Sequence, residues 1–125
     1  MNHFLLVALG GAAGASARHL VGMLALRSFG SDFPYGTIIC NIGGSFLMGL
    51  LIEMLALRFN ASTEVRLLLT TGLLGGFTTF STFSLDVVVL TERGQMGMAL
   101  FYVALSLAGG IVALFAGLSA ARALV

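Results

Sequence analysis

Residues 75–84 read Gly-Gly-Phe-Thr-Thr-Phe-Ser-Thr-Phe-Ser, a run of glycine, hydroxyl and ring set inside a segment that is apolar from Val65 to Leu90. Backbone amides in the hydrocarbon of a bilayer have no water to bond to, so irregular backbone survives there only where it is buried in protein or lines a cavity. A Gly-Gly and a Thr-Thr pair at mid-segment therefore predict a broken helix at depth. Broken helices near the midplane are where transport proteins place ions.

The bilayer setting rests on composition. The chain is 58% hydrophobic and 9% charged, with 17 glycines in 125 residues. A soluble domain carries roughly 25% charged residues, and glycine enrichment marks packed membrane helices. The fold class expected is an all-α membrane protein with one transmembrane domain, 1–125. A net charge of +1 and the absence of lysine exclude the clustered cations that nucleic-acid binding needs. The single Cys40 has no intrachain disulfide partner and no ligating cluster beside it, and reads as a small buried residue.

Four apolar segments, Phe4–Leu26, Gly36–Leu57, Val65–Leu90 and Met96–Ala121, are each near the roughly 20 residues that cross a bilayer. The breaks between them are Ser28–Tyr35, with Gly30, Asp32 and the sole proline Pro34; Arg58–Glu64, with Asn60 and Ser62; and Thr91–Gln95, with Glu92-Arg93-Gly94. An even count puts both termini on one side. A signal-peptide reading of the first segment, cleaved near Gly14-Ala15-Ser16-Ala17, is disfavoured. Its leading region lacks Lys and Arg, and the run Phe4–Leu9 is short against the roughly 7–15 apolar residues such a peptide uses.

Loop arginines are nearly balanced: Arg58, Arg66 and Arg122 on the face with the termini, Arg27 and Arg93 on the other. Because Lys/Arg asymmetry sets insertion direction, this balance suits either a weak single orientation or insertion both ways up, giving an antiparallel dimer. The four-residue spacings Gly10/Gly14, Ser45/Gly49 and Gly72/Gly76 make flat stripes for close helix contact, within the chain or between copies.

Polar residues inside the spans are few. Arg18 lies deep in the first segment, where a guanidinium faces protein, water or an anion, snorkels, or pairs with Glu53 or Asp86. His19 reads as interfacial, and Glu53 and Asp86 as solvated near helix ends. Asn41 stands alone in Thr37-Ile38-Ile39-Cys40-Asn41-Ile42-Gly43-Gly44-Ser45-Phe46. Its amide is either interhelical glue or a pair of N–H donors for an anion. Phe80 and Phe83 share a helix face by their spacing, with Thr79 and Ser84 close by. Core or lipid contact is the ordinary meaning of such a pair, yet an aromatic ring has a positive edge that suits a small anion. Tyr102, Ser106 and Gly110 recur at four-residue spacing in the fourth segment. The first two can donate.

Together, Gly14-Ala15-x-x-Arg18, Gly36-Thr37-x-x-x-Asn41-x-x-Gly44-Ser45-Phe46 and the run Gly75–Ser84 resemble the Fluc-type fluoride channels of the CrcB family, over essentially the whole chain. The resemblance implies an antiparallel, dual-topology homodimer in the cytoplasmic (inner) membrane of a prokaryote, with two fluoride pores and a central Na+ held by main-chain carbonyls of the broken third helices. Carried onto this chain, those carbonyls are Gly75 and Thr78. Asn41, Phe80 and Phe83 line the pore with Thr79 and Ser81, Tyr102 and Ser106 form a polar track, and Arg18 is the vestibule arginine. Gly110 departs from the hydroxyl often found at the next step of that track. The function implied is passive, fluoride-selective export without enzyme chemistry; the chain shows no phosphate loop ending in Lys-Ser or Lys-Thr and no nucleophile–base pair. The alternatives are a four-helix proton-coupled multidrug exporter, which needs an embedded carboxylate that the first segment lacks, and a non-transporting scaffold.

Overall fold

The computed structural model describes residues 2–57 and 60–124. Four helical spans, His3–Phe29, Tyr35–Leu57, Thr63–Glu92 and Met96–Leu124, are long and apolar enough to cross a bilayer. No strand occurs among the described residues. At about 1.5 Å per residue the shortest span still reaches roughly 35 Å, beyond the hydrocarbon core of about 30 Å.

The first span is helix α1 (His3–Phe29) and the second α2 (Tyr35–Leu57). Asn2 starts α1 by accepting the Phe4 N–H at 2.7 Å, the bond an N-cap side chain supplies to an otherwise orphaned donor. The helix outruns the apolar segment that ends at Leu26, because Arg27 and Ser28 leave the hydrocarbon without leaving helical geometry. Only Gly30, at φ 81 with its N–H on Leu26 O, stops it. The same reasoning extends the third span back to Thr63 and on to Glu92, and the fourth to Leu124. Arg58, counted above in the loop balance, lies outside the described residues.

The third span is composite. Helix α3 (Thr63–Arg66), capped by Ser62, runs into a π-helix, π1 (Leu67–Leu74), then a short turn α4 (Gly75–Phe77). Thr78 (φ −91, ψ 157) and Thr79 (φ −152, ψ 122) are extended, and α5 (Phe80–Glu92) follows. Wide π turns inside helices recur at functional sites. Nothing in the sequence reading anticipated this one. Its residue Thr70 bonds back from Oγ1 to Arg66 O at 2.6 Å. Gly94, at φ 79, closes the turn into α6 (Met96–Leu124).

Two close-packed pairs build the bundle: α1 against π1 and α4, and α2 against α6. Glycine makes both possible. A methyl on Gly14 would sit 2.8 Å from Phe77 N, and one on Gly76 2.7 Å from Gly11 O. Across the other contact, a methyl on Gly49 would meet Leu118 N at 3.0 Å and one on Gly117 would meet Leu50 N at 2.7 Å. The small-residue stripes are thus used inside the chain, backbone on backbone. Where α5 meets α6, Phe83, Leu90, Ala99 and Tyr102 form the buried cluster, with Phe33 and Ile38 against it.

Candidate functional site

The centre of the site is the pair of extended residues between α4 and α5. Helix α2 points Asn41 at Thr79: Nδ2 donates to Thr79 O at 3.0 Å, and Thr79 N donates to Oδ1 at 2.7 Å. One side-chain amide thus satisfies both backbone polar groups of a residue that has left the helix. Fully buried, an unmade bond of this kind costs about 1–3 kcal/mol; at the half-buried Thr79 the interruption still depends on this contact. Asn41 is glue here, and it keeps one N–H free for another acceptor.

Four further bonds fix the same two turns. Thr79 Oγ1 accepts the Thr82 N–H at 3.1 Å, capping α5, and lies 3.2 Å from Ser81 Oγ. Thr78 Oγ1 donates to Leu74 O at 3.0 Å. From α1, Arg18 Nε donates to Gly76 O at 3.1 Å. Neither carboxylate considered for Arg18 reaches it. Glu53 accepts from Arg122 Nε at 3.1 Å, and Asp86 accepts from Tyr102 OH at 2.9 Å. Each acid is taken by another partner, and Arg18 Nε is held by Gly76 O at the interruption.

A groove of about 330 Å³ opens beside the interruption, lined by Asn41, Ser45, Thr79, Phe80, Phe83 and Ser106 among others. The two phenylalanines contribute unequally. Their ring centroids are 5.6 Å apart at 47°, but Phe80 is 75% exposed and Phe83 8%. Ser106 Oγ is buried with no hydrogen-bond partner among the described residues, an unmet donor facing the groove from α6. At Gly110, the step of the track without a hydroxyl, Ser45 Oγ of α2 comes within 3.6 Å of where a Cβ would stand. Ser45 read in the sequence as a packing residue; only the α2–α6 contact brings its hydroxyl to Gly110.

Two expected lining residues lie elsewhere. Tyr102 is fully buried behind Phe83, rings 5.3 Å apart, with its hydroxyl on Asp86, because the α5–α6 cluster takes its ring into the core. Ser81 is exposed and tied to the Thr79 hydroxyl, outside the groove. Asp86 is likewise no solvated end residue: it sits six residues inside the end of α5 and is half-buried. A second cavity of about 350 Å³ lies on the α1 side of the interruption, lined by Arg18, His19, Thr37, Thr79 and Thr82. Thr79 borders both cavities. His19 is three residues past the midpoint of α1, so the interfacial reading placed it too near an end.

Residues 5–118 match the family described as CrcB-like protein, Camphor Resistance (CrcB). The chain belongs to the CrcB-like family. Among its curated relatives are proteins named "Fluoride-specific ion channel FluC" from Chelativorans sp. (strain BNC1), 58% identical over 99% of each chain, from Agrobacterium fabrum (strain C58 / ATCC 33970), 56% identical over 98% of each, and from Rhizobium meliloti (strain 1021), 49% identical over 100% of each. Family membership and four apolar spans make this CrcB-like chain a multi-pass membrane protein. No group of three or more His, Cys, Asp or Glu stands ready for a metal among the described residues. The oxygen donors that a hard cation takes would have to come from backbone or hydroxyl groups.

Proposed function

We propose that this CrcB-like chain is a fluoride-selective channel, not an enzyme, that lets cytoplasmic fluoride leave a prokaryotic cell passively through the inner membrane. The observation that carries the proposal is the groove beside the interruption: hydroxyls, one spare amide N–H and two phenylalanines in an otherwise apolar wall, with no fixed charge lining it. Fluoride is compact and tightly hydrated, so a path must replace its water with several donors at once. Asn41, Ser45, Thr79 and Ser106 offer them, and Phe80 and Phe83 present positive edges. Neutral donors release the ion where a lysine would retain it, and a narrow path refuses the larger chloride. Arg18 stands in the neighbouring cavity as the vestibule cation. Tyr102 and Ser81 act from behind, through Phe83 and Thr79.

Two copies in opposite orientation complete the site in this reading. A groove holding Asn41, Thr79 and the exposed ring of Phe80 opens on the chain surface, and polar backbone facing lipid is unfavourable; a second copy covers it. The extended Thr78-Thr79 pair is then the break in the third helix. The Thr79 N–H, diverted to Asn41, no longer closes on Gly75 O, and the extended geometry takes Thr78 O out of the helical ladder. Those carbonyls suit Na+, which would hold them in place and add positive charge near the path. The exporter alternative finds no support, since α1 contains no carboxylate and the relatives carry the name of a fluoride channel.

Fluoride and chloride efflux from proteoliposomes under a K+ diffusion potential tests the proposal. Rapid fluoride release with chloride retained is expected, and drug-coupled proton movement or equal release of both anions would overturn it. Lysines added between Asn60 and Glu64 should fix one orientation and silence the chain until an oppositely biased copy is supplied; full activity of each biased variant alone would end the antiparallel reading.

A further inference from the structure

His19 is an exposed imidazole near the middle of a membrane-spanning helix. It has no hydrogen-bond partner among the described residues. An ionisable side chain at that depth faces protein or a water-filled cavity rather than lipid. The cavity beside it measures about 350 Å³ and is shared with Arg18 and bordered by the hydroxyl-bearing residues Thr37, Thr79 and Thr82.

We propose that Arg18 and His19 form a paired cationic entry for the anion, in which Arg18 supplies permanent charge and His19 supplies charge that depends on pH. The two differ in how they are held. Arg18 is anchored on Gly76 O, so its charge is fixed in place at the interruption. His19 is untethered, and histidine is the side chain whose charge ordinarily changes near physiological pH. Protonated, it adds a second positive charge to the mouth and raises the local concentration of fluoride; neutral, it leaves Arg18 to act alone.

No opposing charge intervenes in this cavity. From α1 it receives Arg18; α2 contributes Gly36 and Thr37; from the third span come Thr79 and Thr82. Asp32, Tyr35, Asp86 and Arg93 lie in the adjoining cavity, which shares Gly22, Leu26, Gly36 and Thr37 with this one. Of these, Asp86 is occupied by Tyr102 OH and Arg93 by Ser31 O at 3.5 Å. In a cell, such an entry gathers more fluoride under acid, the condition that drives hydrogen fluoride inward and makes export most necessary.

This inference rests on the fluoride-channel reading, and one experiment separates the two. Initial fluoride efflux at low fluoride is measured from pH 5.5 to 8, less the leak of protein-free vesicles, for the unaltered chain, His19→Gln and His19→Arg. The unaltered chain is expected to gain about two- to tenfold toward acid, the effect of one charge at roughly 10 Å in a wet cavity. His19→Gln should flatten the profile, and His19→Arg should flatten it at a higher level. In parallel, ring-nitrogen NMR of His19 in a His3→Gln background should show fluoride, at constant mid-range pH, shifting the imidazole toward its protonated form. The same pH profile in the Gln variant, or ring shifts indifferent to fluoride, would overturn the role of His19 while leaving the channel standing. No fluoride flux from the unaltered chain at any pH would overturn both.

Discussion

The α2–α6 contact and the Thr78-Thr79 interruption are solved by opposite means. Between α2 and α6 the backbones meet through Gly49 and Gly117, and removing side chains does the work. At the interruption the backbone is held away from helical geometry by side chains from two other helices, Asn41 and Arg18. Packing without side chains gives rigidity with no chemistry to spare. Tethering by polar side chains leaves some of their capacity over, an amide N–H and most of a guanidinium, and that surplus is what the proposed path offers an ion.

The largest expected effect breaks the packed side of this contrast. Gly49→Leu places a branched side chain where even a methyl meets Leu118 N at 3.0 Å, against backbone that cannot step aside; overpacking of this kind costs about 1–3 kcal/mol or more. Little monodisperse protein should survive size-exclusion chromatography. Gly97→Ala, with open space around it, should elute normally. Similar yields of the two would mean the contact is looser than the glycines indicate.

Next comes the tethered side. Asn41→Ala leaves both backbone groups of Thr79 without a partner, at about 1–3 kcal/mol each, and removes a donor from the groove. Fluoride flux should fall at least about tenfold while the protein still folds, because α2 and α6 do not depend on that amide. A fully active Asn41→Ala would show that the interruption holds itself.

Phe80 and Phe83 sharpen the comparison within the groove. Within one chain Phe80, 75% exposed, has little packing to lose, so a severe loss of flux in Phe80→Ile with thermal stability unchanged and the two copies still associated isolates the ring edge. Phe83→Ile should lose flux and stability together, since its ring also packs on Tyr102 at 5.3 Å. Normal flux in both, measured in folded protein, would return the pore to Asn41 and the hydroxyls. The smallest effect expected is from Tyr102→Phe, which strands the Asp86 carboxylate: a stability loss of about 1–3 kcal/mol with modest change in flux. A thermal melt and an efflux trace on the same sample decide it.

Much of this was readable in the residues. The four spans follow from apolar runs long enough to cross a bilayer, and their ends were misplaced only where residues such as Arg27 and Glu92 continue a helix past the hydrocarbon. Asn41 stood out because an amide in an apolar run must bond to something, but its partner was unreadable: Thr79 is distant in sequence, and only the fold brings them together. The π turn at 67–74 left no trace, since Leu-Leu-Leu-Thr-Thr-Gly-Leu-Leu fits an α-helix equally well. The burial of Tyr102 behind Phe83 was unreadable because four-residue spacing gives a stripe on α6 but not which neighbour covers each part of it. Ser45 was passed over for the converse reason, a small residue at packing spacing whose hydroxyl matters only once Gly110 is opposite.

The pairing of α2 with α6 also carries a consequence for biosynthesis. A chain emerges from the ribosome at about 5–20 residues per second, and the partner of Gly49 lies more than sixty positions downstream at Leu114 and Leu118. For several seconds after α2 has entered the membrane, the flat strip at Ser45 and Gly49 has no cover of its own. The last span must therefore slot against a strip laid down well before it. A membrane chaperone that shields that strip during the interval would change how much protein assembles without touching a single pore residue.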